Sequence, residues 1–558
     1  MNNKTNSRPA LAPPSRSGEV LIVPNLTQAI GDLRANRERF AAEQTAIMTG
    51  RLNEHRLRIR RELLGRADRY CRRLGLAQLE ALPEQPLIVT GHQSQFYHCG
   101  VFAKIILAHL LGQRCGGAVL NLILDNDLPK QLDLKIPLKE GDTIRLVRLE
   151  LAPFEAHLPL ECQAQVTPEQ LKLFVRQLRE LPVSTVLRDS LALLGDIMEE
   201  IYSLSRHPAE LYALLNHRLA QRLGLQYLEL SVSALAESAG FMLFTADLLN
   251  RAHLARDCYN KALADFRRRH HIRGKNQPMP ELAGHCEQDG QVETPFWLVH
   301  PSRGRMRLFV RRAGDKLFFG ETDTQLGELA IDSLSEPDRA ETALRRAMCS
   351  ADVKLRPRAL ALTIFARLFV GDTFIHGIGG ARYDEVADRF ITLFYGVEPP
   401  SYICCSATMR LTGFGISEPD RVLSQLRRLR HQQRDIRLNP QRYLCDPNAR
   451  SGTPDESYPG EVARLLEQRA DAVETGRQLR RDHAPGPERR GVFEKIRQLN
   501  TRILDTRPDL AAGLATRLQQ NEQLLHQARL AHDREYYFGL FSQDQLQKLK
   551  TQCGRELS

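Results

Sequence analysis

Residues 87–127 read LIVTGHQSQFYHCGVFAKIILAHLLGQRCGGAVLNLILDND, and this stretch decides the fold prediction. Residues 87–89 and 118–124 are short apolar runs of the kind that form buried strands. The residues between them, 101–111, are apolar nearly all round, which indicates a buried helix. A strand, a helix and a second strand in this order predict a βαβ unit within a parallel sheet.

The flanking sequence predicts further elements of an α/β protein. Residues 164–224 and 241–269 have helical patterns, and 226–232 alternates like a strand. Residues 296–319 predict a small antiparallel meander, because three apolar runs are separated by turn residues. Pro357 is expected to open an apolar helix that ends near Phe369, and 402–409 is expected to form another strand.

Changes in composition predict four regions. Residues 1–18 are polar and rich in Pro and Ser, which is typical of a disordered tail, and 19–82 has a charged helical pattern. Residues 83–415 form the predicted core, with insertions at about 135–350. Residues 416–558 are charged and rich in Leu and Gln, which indicates long helices in a helical hairpin or coiled coil.

The overall composition excludes several classes of protein. The 558 residues are 42% hydrophobic and carry a net charge of +11, which excludes a wholly disordered or collagenous chain. This charge suits a phosphate-bearing small ligand as well as nucleic acid. Eleven cysteines without CxxC spacing indicate reduced thiols. Because no signal peptide or membrane span is evident, we expect a cytoplasmic protein without membrane contact.

The first candidate site follows the first core strand. Its polar groups, glycines and histidines lie where a buried strand leads into a buried helix, and ligands of parallel sheets bind at such strand ends. Helix amides attract anions, and imidazoles move protons. A capped loop whose histidines bond backbone carbonyls is the alternative. The candidate residues are Thr90, Gly91, His92, Gln93, His98, Gly100 and Lys104.

Two further segments have the same position relative to an apolar run. Carboxylates and an amide after the second strand could bind Mg²⁺, a ribose hydroxyl or an amine, or merely cap a turn. A glycine-rich segment before a helix could hold an anion through its amides, or form a tight turn. The residues are Asp125, Asn126 and Asp127 in the former, and His376, Gly377, Gly379, Gly380, Tyr383 and Asp384 in the latter.

Other clusters carry weaker signals. Cys258, His270, His271, His285 and Cys286 have spacings that fit no standard zinc arrangement, so no metal site is predicted. The basic runs at 267–269 and 427–430 are typical of solvated helix faces. Aromatic residues are not interleaved with them, so nucleic-acid binding is not favoured.

The order of the motifs resembles a known family. IVTGHQSQFYHCGVFAK, LILDNDLPKQLDL, LRPRAL, FIHGIGGARYDEVADRF and EPPSY resemble the bacillithiol-biosynthesis cysteine-adding enzymes, or cysteine ligases, over about 86–410. His92 stands where that family usually has Gln. Asp125–Asp127 replaces its acidic Glu-Asp-His-Asp segment, and Gly380–Tyr383 replaces a Gly-Pro-Gly-Glu-containing turn.

The resemblance implies a Rossmann-like core, inserted segments and a homodimer joined through a C-terminal coiled coil. It implies a ligase that joins cysteine to an amine of a sugar-derived acceptor, with ATP or ADP as the expected nucleotide. His92, His98, Lys104, Asp127 and His376 would then be catalytic. Two alternatives remain open: a non-catalytic or nucleic-acid-associated protein that keeps the fold, and another nucleotidyltransferase-like enzyme.

Overall fold

The computed structural model describes residues 11–47, 50–76, 78–130, 132–141, 143–274, 276–284, 290–335, 337–444 and 460–555. The strands are β1 Val20–Val23, β2 Ala46–Ile47, β3 Gly50–Arg51, β4 Leu87–Gln93, β5 Ala118–Leu124, β6 Asp133–Glu140, β7 Thr143–Glu150, β8 Leu228–Ser231, β9 Gln291–His300, β10 Gly304–Ala313, β11 Lys316–Gly320, β12 Gln325–Ala330, β13 Lys354–Pro357, β14 Thr373–His376 and β15 Ile403–Ala407.

The helices cover more of the chain than the strands do. They are α1 Leu26–Ala42, α2 Leu52–Arg73, α3 Cys99–Cys115, α4 Pro168–Glu180, α5 Thr185–Ile201, α6 Pro208–Arg222, α7 Val232–Ala236, α8 Ala239–Asn250, α9 Ala252–Arg269, α10 Ile331–Ser335, α11 Pro337–Ser350, α12 Ala359–Phe365, α13 Ile378–Tyr395, α14 Pro419–Leu438, α15 Gly460–Arg481, α16 Gly486–Asp505, α17 Pro508–Ala531 and α18 Gln543–Arg555.

The core is a six-stranded sheet in the order β1-β15-β14-β4-β5-β8. The pairs from β15 to β8 are parallel, and β1 pairs antiparallel with β15. The predicted βαβ unit is present, because β4 and β5 pair in parallel and α3 connects them. The protein is therefore a mixed α/β protein with a largely parallel sheet.

The strand order reverses beside β4. From β4 the chain proceeds to β5 and β8 on one side, and it later adds β14 and β15 on the other. The Thr90 hydroxyl donates to the Ile375 carbonyl at 3.0 Å, which fixes the two central strands to each other. In parallel sheets, such a reversal leaves a crevice outside the carboxyl ends of the strands.

A second, antiparallel sheet follows the core helices in the order β12-β11-β10-β9-β13. It contains the predicted meander, which is longer than expected because β12 and β13 extend it. Pro357 ends strand β13, so the prediction that it opens a helix is wrong; the helix begins at Ala359. The long helical pattern at 241–269 is divided into α8 and α9 at Arg251.

The N-terminal predictions require correction. Residues 11–18 are not a disordered tail, because Leu11 is buried and the Gly18 amide donates to the Thr408 carbonyl at 2.8 Å. Residues 1–10 lie outside the described residues. The region 19–82 is not purely helical, because β1 joins the core sheet before α1 and α2 begin.

The described residues divide into two compact units. The first lies within Met1–Ile136, Val147–Arg410 and Arg534–Ser558, and the second within Pro137–Leu146 and Leu411–Asp533. In the second unit, α14 packs with α17 and α15 packs with α16. The expected boundary near residue 415 is close to the observed one. The last segment differs from expectation, because α18 and the residues before it return to the first unit.

The helix in the βαβ unit shows why this sequence folds as it does. Nearly every residue of α3 is buried, as its continuous apolar pattern predicts. It ends at Gly116, whose φ of 60° lies in the left-handed region that glycine adopts without strain.

None of the helices in the described ranges combines the length and apolar character needed to cross a lipid bilayer.

Candidate functional site

The first candidate segment continues the core strand instead of forming a turn. Strand β4 runs through Gly91 and His92 to Gln93, and so extends beyond the apolar run 87–89 that predicted it. A side chain at Gly91 would place its Cβ 3.0 Å from the Leu122 carbonyl oxygen of β5. Gly91 therefore serves close packing between strands, and the polar end of the strand projects beyond the core.

A polar cavity of about 210 Å³ lies at this strand end. We call it the strand-end cavity. Polar groups dominate its lining, and they come from β4, the following loop, β6 and the C-terminal segment of the first unit. Its lining residues are His92, Gln93, Gln95, Phe96, Tyr97, His98, Asp133, Lys135, Glu535 and Tyr537.

His92 brings a neutral imidazole to the strand-end cavity. Burial, followed by the positive charge of Lys104, lowers the pKa of His92 to about 3. The Nδ1 atom lies 3.1 Å from the Gln93 carbonyl oxygen, and only a protonated Nδ1 can donate to that acceptor. The other ring nitrogen, Nε2, is then an acceptor, suited to an N–H or O–H group of a ligand.

His98 caps the N-terminus of helix α3. Its Nδ1 accepts a hydrogen bond from the Gly100 amide at 2.9 Å, and its Nε2 lies 3.3 Å from a Glu535 carboxylate oxygen. Burial and the nearby Arg534 lower the pKa of His98 to about 4. The Gly100 amide, predicted to hold an anion, is thus engaged within the chain.

Gly100 is glycine for a steric reason. A Cβ there would lie 2.6 Å from an Arg534 guanidinium nitrogen and 2.7 Å from the Ser406 hydroxyl. Arg534 also donates to the Ala407 carbonyl at 3.0 Å. The guanidinium therefore fills the space at the start of α3 that the sequence assigned to a ligand.

Lys104 is a buried cation behind the strand end. Its Nζ donates to the Gly91 carbonyl at 2.6 Å, and burial lowers its pKa to about 8. It lines an internal space of about 20 Å³ together with His92, Asn121 and Glu229. A space of that size holds about one water molecule. Lys104 therefore influences the cavity electrostatically, through His92, and does not line it.

The segment after β5 sends its three polar side chains to three different partners. Buried Asp125 accepts from the Ser233 amide at 2.9 Å, and Asn126 donates to the Pro357 carbonyl at 3.0 Å. Asp127 accepts from Arg305 at 2.9 Å and from the Gln93 side-chain amide. Burial, then the Glu161 charge, raises the pKa of Asp125 to about 7.

Only Asp127 of these three is therefore connected to the strand-end cavity. It orients Gln93, which lines the cavity, and Arg305 neutralises its charge. Asp125 and Asn126 instead join the end of β5 to α7 and to the second sheet. The predicted binding roles of Asp125, Asn126 and Asp127 stay predictions.

The third candidate segment begins a helix rather than forming a turn. Helix α13 starts at Ile378, so Gly379 and Gly380 lie in its first turn, and Gly377 precedes it with a φ of −77°. None of the three has a positive φ, so the expected left-handed turn is absent from these described residues. A Cβ at Gly380 would lie 2.8 Å from His376 Nδ1, so this glycine permits close approach of the ring.

His376 belongs to a buried ionic network. Its Nε2 lies 2.9 Å from an Asp384 carboxylate oxygen, and Arg367 donates to the same carboxylate at 2.6 Å. All three side chains are buried. These contacts hold α13 against the sheet, and the catalytic role of His376 and the ligand-binding role of Asp384 stay predictions.

Tyr383 does not join this network. Its side chain is 41% exposed, and its ring centroid lies 6.4 Å from that of Phe266 in α9. The first and third segments follow neighbouring strands, because Ile375 of β14 pairs with Thr90 of β4. Among the described residues, however, the strand-end cavity is lined by the first segment and not by the third.

The sequence analysis missed the residues from distant parts of the chain. Asp133 and Lys135 come from β6, and Glu535 and Tyr537 follow the C-terminal helices. The Tyr537 hydroxyl donates to the Asn216 side-chain oxygen at 2.8 Å. The aromatic run at 536–538 was the available signal, because it interrupts a charged segment and is fully buried.

The other clusters acquire structural roles. Within the described ranges, no group of three His, Cys, Asp or Glu side chains could hold a metal ion, and His285 and Cys286 lie outside those ranges. The basic run 267–269 is neutralised by carboxylates. Its ion pairs are Arg267–Glu281, Arg268–Asp265 and Arg269–Glu385.

Comparison with known proteins does not identify a family: no protein-family model matches the chain, and no curated protein matches it significantly.

Proposed function

We propose that the protein is an enzyme that forms an amide between an amino acid, cysteine by resemblance, and an amine of a sugar-derived acceptor. One observation carries the proposal: a polar cavity lined by two neutral imidazoles lies at the carboxyl end of β4, beside the reversal of strand order. This is where parallel sheets bind ligands. The Rossmann-like assignment of the core is part of the same proposal.

The groups around the strand-end cavity suit the amine and the acyl group that the new amide bond joins. His92 offers an acceptor nitrogen and Glu535 a carboxylate, and both can accept N–H groups of an amine. Lys135, on β6, supplies a cation for a carboxylate or phosphate. Asp127 holds Gln93 in place at the cavity wall.

The reaction requires an activated acyl group, because a free carboxylate does not acylate an amine readily. In the proposed step, the amine nitrogen attacks the carbonyl carbon of an acyl phosphate and forms the C–N bond. The C–O bond breaks, the phosphate leaves with the electron pair, and the proton lost by nitrogen passes to solvent. His92 orients the amine through Nε2; its pKa near 3 makes it a hydrogen-bond acceptor rather than a proton carrier.

The expected nucleotide fits this cavity poorly. Its volume of about 210 Å³ is below the ~300–1,000 Å³ typical of ligand pockets. The reacting ends of two substrates fit there better than a whole ATP or ADP. ATP, the nucleotide that the resemblance implies, would supply the phosphoryl group of the acyl phosphate and leave as ADP, and no residue of the strand-end cavity is assigned to hold it. The homodimer joined through a coiled coil of α14–α17 is a part of the proposal that rests on the resemblance, and the cytoplasmic location is a part that rests on the sequence.

The proposal is tested by a condensation assay with the full chain. The protein is incubated with cysteine, a glucosamine–malate conjugate and ATP, and mass spectrometry detects a product equal to both substrates minus one water. His92→Ala should reduce the rate by at least about tenfold, the usual scale for a positioned polar group. His431→Ala, on exposed α14, is the control. Absence of product, or full activity of His92→Ala, contradicts the proposal.

A further inference from the structure

The first unit contains a second cavity, which we call the basic cavity. Its volume is about 770 Å³, and it shares no lining residue with the strand-end cavity among the described residues. It lies beside the end of β8 and is bounded by β13 and α11. Its lining includes Tyr70, Arg206, His207 and Lys354.

The basic cavity has more cations than carboxylates. Five of its lining residues are Lys or Arg and three are Glu. The carboxylates are already paired, as Glu161 and Glu237 with Arg356 and Glu210 with Arg73. No described carboxylate lies within ion-pair distance of the Arg206 or Lys354 side chain, and both are exposed to solvent. The surplus positive charge therefore resides on these two residues.

Buried polar atoms without partners line the same cavity. The Tyr70 hydroxyl has no hydrogen-bond partner among the described residues, although Tyr70 is only 8% exposed. His207 Nδ1 is also buried and without a hydrogen-bond partner there. A buried hydroxyl left unpaired costs about 1–3 kcal/mol, so such groups usually have a partner. Burial raises the pKa of Tyr70, which keeps the hydroxyl protonated and able to donate.

The remaining wall is apolar. It contains the uncharged side chains of Met242, Met348, Val353 and Leu355. A ligand that fits must therefore present negative charge to the cations and apolar surface to this wall. Inorganic ions satisfy only the first requirement.

We propose that the basic cavity is a second binding site, for a small organic anion with an apolar body. Lys354 and Arg206 attract its carboxylate or phosphate, Tyr70 donates a hydrogen bond, and the methionine-containing wall contacts the apolar part. The site is separate from the proposed condensation reaction and does not depend on it.

Isothermal titration calorimetry of the full chain tests this proposal. The probes are phenyl phosphate, phenylacetate and inorganic phosphate. We expect at least one phenyl compound to bind with a Kd of about 1 mM or tighter, and inorganic phosphate to bind more weakly. The two phenyl probes show whether a phosphate or a carboxylate is recognised.

Substitutions locate the binding. Lys354→Met and Arg206→Met should each weaken binding at least about fivefold, the effect of roughly 1 kcal/mol. Tyr70→Phe should weaken binding without lowering the unfolding midpoint, because its hydroxyl has no partner to lose. Arg346→Met is the matched control and should bind normally, because Arg346 is an exposed residue of α11 that does not line the cavity.

Three results overturn the proposal: neither phenyl compound binds, inorganic phosphate binds as tightly as they do, or the three cavity variants bind as well as the control. None of these results bears on the condensation assay, so the two proposals fail separately.

Discussion

Lys104 places a buried positive charge near His92, and burial of that charge lowers the stability of the fold. It is 3% exposed, and its pKa falls from 10.5 to about 8. A shift of that size corresponds to about 3 kcal/mol of unfavourable burial at neutral pH. Buried groups with strongly shifted pKa values are frequent at functional sites, and Lys104 lies near His92 of the strand-end cavity.

We therefore expect Lys104→Met to stabilise the protein. Loss of the buried charge should raise the free energy of unfolding at pH 7 by about 1–2 kcal/mol, after subtracting the lost hydrogen bond to Gly91. The condensation rate should fall at the same time. Denaturant unfolding measures the first effect, with Lys316→Met, an exposed lysine, as the near-neutral control. A less stable Lys104→Met variant contradicts this reasoning.

His98 predicts a particular response to acid. Its folded-state pKa of about 4 is below the unfolded value of 6.5. Between those values the unfolded chain binds the extra proton, so stability is lost as pH falls from 6.5 towards 4. From pH 7 to pH 5 this loss is about 2 kcal/mol.

His98→Asn should remove that loss while preserving the helix cap, because Asn is a favoured N-cap residue. The difference in unfolding free energy between pH 7 and pH 5 should shrink by about 2 kcal/mol relative to the unaltered protein. His431→Asn should leave the difference unchanged. An unaltered pH dependence in His98→Asn would show that His98 titrates normally in the folded state.

At the scale of elements, the sequence predicted the buried parts of the sheet better than its ends. The apolar start of β4, strand β5 and helix α3 were predictable because they are largely apolar. The polar end of β4 resembled a loop because its side chains, His92 and Gln93, line the strand-end cavity and are therefore not apolar. The glycines after β14 resembled a turn, although they open α13. The partners of Asp125–Asp127 lie far along the chain, and no local pattern reveals them.

Two adjacent glycines in α13 provide a matched test. A Cβ at Gly379 meets no atom within 4 Å, whereas a Cβ at Gly380 would lie 2.8 Å from His376 Nδ1. Gly379→Ala should stabilise the protein by about 0.5 kcal/mol, because alanine favours helix. Gly380→Ala should destabilise it by about 1–3 kcal/mol, because the His376 ring must move away from Asp384. Equal midpoints in chemical denaturation contradict the described packing.

At the scale of the whole molecule, the chain leaves the first unit for the C-terminal helices and then returns. Phe538 is fully buried and stacks on Phe102 of α3, with ring centroids 4.1 Å apart. Its neighbour Tyr537 lines the strand-end cavity. The length and charge of this segment do not reveal the return, so the prediction that 416–558 forms one C-terminal helical region is wrong for its last residues.

Truncation after Asp533 should therefore destabilise the first unit, although it removes only the end of the chain. The only tryptophan, Trp297, lies in that unit and reports its unfolding by fluorescence. We expect a lower midpoint for the truncated chain, and Phe538→Ala should reproduce part of the change, about 3–5 kcal/mol. An unchanged tryptophan transition contradicts the assignment of residues 534–555 to the first unit.

The central claim is that the strand-end cavity binds the amine substrate. A crystal structure of the protein with the glucosamine–malate conjugate tests it most directly. We predict that the amine nitrogen lies within hydrogen-bond distance of His92 Nε2, with Glu535 beside it. A conjugate bound elsewhere in well-ordered crystals, with the strand-end cavity holding solvent alone, would contradict the claim.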